Sequence, residues 1–391
     1  MAHITEFTIE GLAGRVDPYS HQLDRYVNVF FGLNGSGKTS LLKLFHAAMS
    51  NEVDSLQTVP FKRAQIKIYS IDRKKIYTST YEKPVENEPT QEDAGYARLG
   101  SGLTFTQTYN VLAERPAWTI EPQDDPTGKF VGWNHNYLPI ARLYMTGPAL
   151  RSRRTLADAA ERITEERLEE SFAELINQLW SAYSADVLGT VQRAQAKGLA
   201  DILIAILSGK PTSEHNVENL DVPEVYARVS KFLERQGSNA ILGDARVFQE
   251  NYKSNAQLRS VAADISSVEL QIQNATAPRD KLQSLIQQMF TGNKTVAFTD
   301  SAIDIRGSKN EKIGLAHLSS GEKQLIRIFV DTLSAGPCSL IVDEPEISMH
   351  VDWQHQLIGT MRQLNPGAQI IAATHSPEIM AEVADENIFR L

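Results

Sequence analysis

A glycine-rich loop between a strand and a helix constrains this chain more than any other feature. Residues 32–39 read GLNGSGKT and fit the pattern G-x-x-x-x-G-K-[ST] in full. The apolar residues 27–31 before the loop predict a strand, and residues 40–45 after it predict a helix. In this context backbone N–H groups cradle phosphate oxygens at the start of the helix. The loop therefore predicts an α/β fold that binds a nucleotide.

The side chains of the loop suggest how the nucleotide is held. Lys38 would reach the β- and γ-phosphates, and the hydroxyl of Thr39 would bind Mg²⁺. The alternative is a glycine turn without a ligand, and the downstream motifs described next disfavour it. We expect nucleotide contacts from Asn34, Gly35, Ser36, Gly37, Lys38, Thr39 and Ser40.

Two apolar runs near the end of the chain lead into polar side chains. Residues 339–342 precede Asp343 and Glu344, and residues 369–374 precede His375. A parallel strand buried on both faces needs a continuous apolar run, so acids belong only at its exposed carboxyl end. We expect Asp343 to hold Mg²⁺ through water and Glu344 to position or deprotonate the attacking water. His375 would contact the γ-phosphate and that water. Solvated acids at an ordinary strand end and a structural histidine are the alternatives.

A further motif, LSSGEKQ at residues 318–324, opens a predicted helix. Ser319, Ser320, Gly321 and Glu322 at the start of this helix would form a second anion cradle. The glycine loop already occupies one face of the nucleotide, so the second cradle is better placed to close the site of another copy. A capped helix without a ligand is the alternative.

Composition limits the classes of protein that remain. The chain has 391 residues, a net charge of −9 and a single cysteine, Cys338. This acidic balance argues against general nucleic-acid binding, and one cysteine excludes an internal disulfide framework. The first residues lack a signal-peptide pattern, and no apolar run approaches the roughly 18 residues that span a bilayer. We expect a soluble, cytoplasmic protein without membrane association.

The change from strand patterns to helix patterns and back along the sequence predicts three segments. Residues 1–150 carry strands at 4–9, a hairpin at 65–82 and a strand at 137–143. Residues 151–290 are predicted to form a helical insertion, and residues 291–391 return to strands and carry the downstream motifs. Apolar residues alternate by three and four in the insertion, which predicts a short coiled-coil seam. The seam residues are Leu258, Val261, Ile265, Val268 and Ile272. We expect Pro278 to end it, at a length of roughly 20–25 Å.

Together these motifs resemble those of ABC-type ATPases: Walker A at 32–39, signature at 318–324, Walker B at 340–344 and the switch His375. The LSSGE form is similar to the SMC, RecF and OLD-like group. DEPEISMH at 343–350 and ATHSPE at 373–378 most resemble the stand-alone ATPase subunits of anti-phage systems such as PARIS and Septu. This resemblance implies an ATPase head, with a mixed central sheet and an antiparallel β subdomain, that the helical insertion interrupts.

The resemblance also implies cofactors and partners. ATP and Mg²⁺ would lie between two copies, in a homodimer or higher oligomer. OLD-type nucleases continue after these motifs into a Toprim domain, for which this chain has no room. We therefore expect a separate effector, a Toprim or HNH nuclease, with DNA or a phage protein as a possible trigger recognised by the insertion.

Two family features differ here. His350 replaces the D-loop aspartate of transporters. Gln107 and the strand around Pro139 and Arg142 are candidates for a Q-loop.

Two other functions fit part of the pattern. A RecF-like repair ATPase or loader would bind duplex DNA, although the acidic balance disfavours it. A transporter ATPase fits less well, because of the insertion and the LSSGE signature. One basic cluster could be a docking or nucleic-acid site or a solvated helix start: Arg151, Arg153 and Arg154. We expect Trp180 and Trp353 to lie in the core rather than to stack on bases.

Overall fold

The computed structural model describes residues 1–84, 117–122, 130, 132–139, 165–208, 221–235, 244–290 and 294–391. Contacts between backbones divide the chain into two compact units. The first unit comprises Met1–Arg142 and Ala335–Leu391, and the second comprises Leu143–Ser334. Several residues singled out from the sequence lie outside the described residues: Gln107, Arg142, Arg151, Arg153 and Arg154.

A five-stranded parallel sheet organises the first unit. Its strands are β3 (Val27–Phe31), β7 (His135–Leu138), β11 (Ser339–Asp343), β12 (Gln369–Thr374) and β13 (Ile388–Arg390). Their order is β13-β3-β12-β11-β7, and every described pair is parallel. All residues of β11 and β12 are buried, which agrees with the continuous apolar runs. The predicted strand at 137–143 begins two residues earlier, at His135.

An antiparallel sheet forms the other layer of this unit. Its strands are β1 (Ala2–Glu10), β2 (Tyr19–Gln22), β4 (Arg63–Ser70), β5 (Lys75–Glu82) and β6 (Thr119–Glu121). Their order is β2-β1-β4-β5-β6. Buried and partly exposed residues alternate along β4, as expected for a sheet with one face in the core. The strand at 4–9 and the hairpin at 65–82 are confirmed.

The described part of the first unit also contains three α-helices: α1 (Lys38–Ser50), α7 (Val351–Leu364) and α8 (Pro377–Met380). One apolar cluster joins α1 to both sheets. Phe45 of α1, Phe7 of the antiparallel sheet and Phe30 of the parallel sheet are all buried in it. The ring centroids of Phe7 and Phe45 are 5.0 Å apart. The helix that follows the glycine loop is therefore anchored in the core.

A buried amide also joins the two sheets. Gln369, at the start of β12, donates from Nε2 to the carbonyl oxygens of Ile4 (2.7 Å) and Asp24 (2.9 Å). Its Oε1 accepts hydrogen bonds from the backbone N–H of Ile4 and the hydroxyl of Ser339. All four hydrogen-bonding positions of this amide are thus satisfied, as a fully buried polar group requires.

The second unit contains long helices and a small sheet. The helices are α2 (Glu165–Ser208), α3 (Val222–Arg235), α4 (Ala245–Ser254), α5 (Ala256–Met289) and α6 (Ser320–Ser334). The strands are β8 (Thr295–Phe298), β9 (Ile303–Arg306) and β10 (Lys312–Ile313). Trp180 of α2 is fully buried and donates from Nε1 to the carbonyl of Thr299, so its assignment to the core is confirmed.

Pro278 was expected to end the seam by breaking its helix, α5, and that break does not occur. The helix has 34 residues and continues through this proline to Met289, which gives a length of about 51 Å. A proline inside a helix costs about 3 kcal/mol. Leu282 and Ile286 beyond it are fully buried, and each contributes about 1.5–3 kcal/mol. Their burial offsets the cost of the proline.

The predicted seam packs against more than one partner helix. Ile265, Val268 and Ile272 are buried in a cluster that includes Ile202 of α2 and Val229 of α3. Leu258 and Val261 border the same cluster and are partly buried. The seam is therefore the inner face of a small helical bundle.

Contacts group residues 294–334 with the helices of the second unit. The backbone N–H of Val296 donates to Oε1 of Gln287, and Phe298 packs on Trp180 with ring centroids 4.8 Å apart. The second unit therefore continues to Ser334, past residue 290. The segment limits at 150 and 290 stay a prediction.

The fold class is confirmed as an α/β fold with a helical insertion. The first unit contains both strand orientations, divided in the described part between a parallel and an antiparallel sheet. Among the described residues, no helix is both long enough and apolar enough to span a bilayer.

Candidate nucleotide-binding site

The glycine loop has the backbone geometry of a phosphate cradle. Gly35 and Gly37 have φ values of 84° and 102°, which side-chain-bearing residues rarely adopt. Gly37 caps α1 without a side-chain hydrogen bond. The first N–H groups of this 13-residue helix therefore face the loop and supply a favourable field for anions.

Lys38 is held by its own loop. Its Nζ donates to the carbonyl oxygens of Gly32 (2.8 Å) and Leu33 (3.2 Å). The same ammonium lies 3.4 Å from Oε1 of Glu344, and only 4% of the lysine side chain is exposed. The buried cation thus has carbonyl and carboxylate partners, as desolvation of a charge requires.

Glu344 and His375 contact each other where β11 and β12 end. Oε2 of Glu344 makes a short hydrogen bond to Nδ1 of His375. The backbone of Glu344 has a φ of 47°, and its N–H donates to the carbonyl of Ala373 at 2.8 Å. A non-glycine residue in this region is strained and persists only where its surroundings hold it. The structure therefore joins Lys38, Glu344 and His375 in one series of side-chain contacts.

A third acid, Glu346, contacts the residues at the end of β12. It is 5% exposed, and its Oε1 accepts from the Thr374 hydroxyl (2.5 Å) and the backbone N–H of His375 (2.8 Å). Burial raises the pKa of Glu346, although these hydrogen bonds oppose the shift; the charge of Glu344 raises it further. Sequence reasoning missed this residue. The only available signal was a third acid in the segment DEPE, which does not distinguish a buried acid from a solvated one.

The residues predicted to hold Mg²⁺ are suitable oxygen donors. Asp343 is fully buried at the end of β11, and Thr39 is half-buried in the first turn of α1. Carboxylate and hydroxyl oxygens suit Mg²⁺. Glu344, Glu346 and His375 also offer three ligand atoms within 4.8 Å of one another. Mg²⁺, when bound, would neutralise charge on the phosphate oxygens.

A cavity of about 440 Å³ lies against the glycine loop. Arg15 and Arg390 contribute cations to it, and sequence reasoning had singled out neither. Ser36 on its wall has a buried hydroxyl without a hydrogen-bond partner among the described residues. These features fit a polyanionic ligand. The lining residues are Arg15, Phe31, Gly32, Leu33, Asn34, Gly35, Ser36, Arg390 and Leu391.

The signature belongs to the second unit and forms a capping box. Oε2 of Glu322 accepts from the N–H and the hydroxyl of Ser319, while Oγ of Ser319 accepts from the N–H of Glu322. Lys294 pairs with both carboxylate oxygens of Glu322 at 2.8 and 2.9 Å. Burial alone would raise the pKa of Glu322, but the partners Lys294 and Ser319 lower it. Ser320 and Gly321 follow in the first turn of α6, as predicted.

The signature helix is joined to the long helix α2. Nζ of Lys323 contacts Oε1 of Glu169 at 2.7 Å, and the lysine side chain is only 5% exposed. An ion pair with one buried member is costly to break, because removing the acid leaves the ammonium desolvated. The signature and the insertion thus share a polar contact within the second unit.

Two residues noted from the sequence lie on α7. His350 caps the helix: its Nδ1 accepts from the N–H of Asp352, and the side chain is largely exposed. Trp353 is half-buried, so the expectation that it lies in the core is only partly confirmed. Part of this side chain in the first turn of α7 is exposed to solvent.

The parallel sheet, the glycine loop and the carboxyl-end acids define a P-loop nucleotide-binding protein. The family model AAA_21, described as "AAA domain, putative AbiEii toxin, Type IV TA system", matches residues 27–381. The chain belongs to this family and carries an AAA/ABC-type ATPase domain.

The chain is also similar to the Retron Vc95 probable ATPase of Vibrio cholerae serotype O1 biovar El Tor. It is 28% identical over 100 residues, which is 22% of this chain and 20% of the relative. The matched part therefore spans about a fifth of that relative's length.

Solved structures of Smc head domains resemble the chain weakly. The Pyrococcus furiosus head bound to the C-terminal domain of ScpA has a TM-score of 0.44 and 11% identity, over 97% of this chain and 92% of the other. The Thermotoga maritima head has a TM-score of 0.39 and 11% identity, over 98% and 92%. These scores are too low to bear on function.

Proposed function

We propose that this chain hydrolyses ATP with Mg²⁺, that two copies close around the nucleotide, and that closure controls a separate effector. The effector would be a nuclease in bacterial anti-phage defence. Opening of the dimer would follow hydrolysis. The helical insertion would recognise the trigger or the partner.

The contact chain Lys38–Glu344–His375 carries the proposal. A cation in the phosphate loop lies 3.4 Å from a carboxylate, whose other oxygen binds an imidazole. An acid at this position can take the proton of an attacking water as the new P–O bond forms. Lys38 stabilises negative charge on the phosphates, and Nε2 of His375 remains for the γ-phosphate or the water.

The proposed dimer rests on the position of the signature at the start of a helix. Ser319, Ser320 and Gly321 begin a 15-residue helix, whose N-terminus attracts anions. In the ABC-type arrangement that the motifs resemble, this helix would face the γ-phosphate held by the partner copy. Each of two sites would then need residues of both copies.

The comparisons support the link to defence. The family description names a toxin–antitoxin system, and the term itself denotes two components, a toxin and an antitoxin. The relative from Vibrio cholerae is named as a retron ATPase. A chain of this family that acts on a second component is consistent with both.

The first test combines turnover and mass for two variants. Glu344→Gln should keep ATP binding, lose hydrolysis by roughly 100-fold or more, and migrate with ATP at twice the 43.5 kDa of one chain. Lys38→Ala should lose nucleotide binding and remain monomeric. ATP hydrolysis at the wild-type rate by Glu344→Gln would refute the assignment of the base.

The second test concerns the effector. The tagged Glu344→Gln variant, recovered from its native host with ATP present, should bring down a nuclease in a fixed ratio. Recovery of duplex DNA with repair proteins, and no nuclease, would favour the loader function instead.

A further inference from the structure

The buried acid Glu346 has no part in the reaction proposed above. It lies between β11 and α7, three residues after Asp343, and its side chain is only 4% exposed. Burying a carboxylate costs several kcal/mol unless hydrogen bonds satisfy it. The buried carboxylate of Glu346 therefore needs hydrogen-bond donors close to it.

Those donors come from one short stretch, Thr374 to Ser376. Oε1 of Glu346 accepts from the Thr374 hydroxyl at 2.5 Å, the N–H of His375 at 2.8 Å and the N–H of Ser376 at 3.2 Å. Nδ1 of the His375 ring lies 3.0 Å from the same oxygen. A single carboxylate oxygen therefore holds the three consecutive residues 374–376, which we call the switch loop.

The contacts also determine which ring nitrogen of His375 carries a proton. Nδ1 faces a carboxylate oxygen of Glu344 and one of Glu346. Oε1 of Glu346 already accepts from two backbone N–H groups, so it is an acceptor for Nδ1 as well, and Nδ1 must be the protonated nitrogen. The imidazole side chain is 53% exposed, so Nε2 is the nitrogen left for a ligand.

Glu344 alone does not supply this restraint. Its two oxygens are shared between Lys38 and His375. Only Oε2 of Glu344 is therefore left to hold Nδ1 of the ring. Glu346 has no contact with Lys38 among the described ion pairs, and its hydrogen bonds go to the switch loop.

We propose that Glu346 is a positioning residue, which holds the ring of His375 with Nδ1 protonated and Nε2 directed to the nucleotide. This role rests on the proposed function, because it assigns His375 to the γ-phosphate or the water. Glu346 itself does not contact the reacting atoms. It keeps the switch loop in place through the hydrogen bonds that it accepts from Thr374, His375 and Ser376.

The variant Glu346→Gln tests this role with little change in shape. The amide oxygen still accepts from the Thr374 hydroxyl and from the backbone N–H groups of His375 and Ser376, so folding and ATP binding should persist. The negative charge is lost, however, which weakens the restraint on the N–H at Nδ1 of the His375 ring. We expect kcat to fall about 10- to 100-fold, the size typical for partners that orient a functional imidazole, with KM little changed. The matched control is Glu378→Gln, which removes an exposed carboxylate 3.4 Å from Nδ1 of His355. It should leave kcat unchanged.

A double-mutant cycle shows whether Glu346 acts through His375. In the His375→Ala background, Glu346→Gln should have no further effect on kcat, because its target is gone. Two losses that multiply would overturn the proposal. If Glu346→Gln does not fold, the pair Thr374→Val and Thr374→Ser replaces it. Valine should lower kcat and serine should not, and equal activities would overturn the proposal.

Nitrogen NMR on histidine-labelled protein separates this proposal from the proposed function. His375 should show protonated Nδ1 in the wild type and a mixture of tautomers in Glu346→Gln; His375→Ala identifies its signals. An unchanged His375 tautomer in the variant would overturn the positioning role. A wild type without ATP hydrolysis would instead overturn the proposed function, and the NMR comparison would still decide the role of Glu346.

Discussion

At the scale of single residues, charges that are distant in sequence meet in pairs. Lys38 belongs to the first 40 residues, whereas Glu344 and His375 lie near the end of the chain. Strand order explains their meeting: β12 lies between β3 and β11, so the loops after all three strands share one edge of the sheet. Each motif could be recognised alone, but its partner atoms depend on this order.

Two histidines beside the glycine-loop helix form a second residue-scale pair. Nδ1 of His46, on α1, lies 2.7 Å from Nε2 of His135, whose Nδ1 bonds the carbonyl of Trp133. The ring of His46 stacks on Tyr137, with centroids 4.7 Å apart. Burial, with the neighbouring His135, lowers the pKa of His46 to about 4. Neither ring is expected to carry a charge at neutral pH, since burial lowers the pKa of His135 as well.

This pair predicts a loss of stability in mild acid. The imidazole of His46 titrates near 6.5 in the unfolded chain and near 4 in the folded one, so the unfolded state binds the proton first. Its contribution is complete above about pH 6.5 and declines as the pH falls towards 4. Urea unfolding of His46→Gln should show a shallower decline than the wild type between neutral pH and about pH 5. His355→Gln, at an exposed histidine, should match the wild type; equal slopes for His46→Gln would contradict the assignment.

At the scale of elements, the two long helices α2 and α5 approach each other closely at a glycine. An ideal Cβ on Gly198 of α2 would lie 2.0 Å from Cγ2 of Val268 on α5. Val268 is buried and β-branched, so it has little freedom to move. The pattern of the seam predicted that α5 packs, but it did not identify Gly198 as the point of contact.

Gly198→Ala should destabilise the protein by about 1–3 kcal/mol, the usual cost of overpacking, despite the better helix propensity of alanine. Gly189→Ala in the same helix is the matched control. Its Cβ would meet only the end of Arg193, at 3.5 Å, so it should be neutral or stabilise by up to about 1 kcal/mol. Adding Val268→Ala to Gly198→Ala should recover part of the loss. Equal unfolding free energies for both alanine variants would contradict the close approach.

At the scale of the whole molecule, the two halves of a proposed site belong to different units. The glycine loop, the acids and His375 lie in the first unit, and Ser319 lies in the second. If two copies close around ATP, each site combines the first unit of one copy with the second unit of the other. Such a composite site allows two inactive variants to restore activity together.

Mixing Lys38→Ala with Ser319→Arg should therefore recover part of the ATPase activity, although each variant alone is inactive. One site of the mixed dimer has an intact Lys38 from one copy and an intact Ser319 from the other. Mixing Lys38→Ala with Glu344→Gln is the control, because both residues contribute to the same half of the site. Phosphate release is the measurement. Without recovery in the first mixture, the two-copy site would have to be abandoned.

The sequence alone determined the local parts of this protein. The glycine loop, the strands before it and before Asp343, and the helix at the signature follow from neighbouring residues, because backbone preferences and apolar periodicity act over a few positions. The match to one family over residues 27–381 agrees with this local information.

Only the tertiary structure decided which charges are buried and which elements continue. Pro278 did not end α5, because the helix buries side chains both before and after it, such as Ile272 and Leu282. Glu346 was one acid among three until the fold placed it under the loop of His375. Burial and contact depend on residues far apart in the chain, and a local pattern does not contain them.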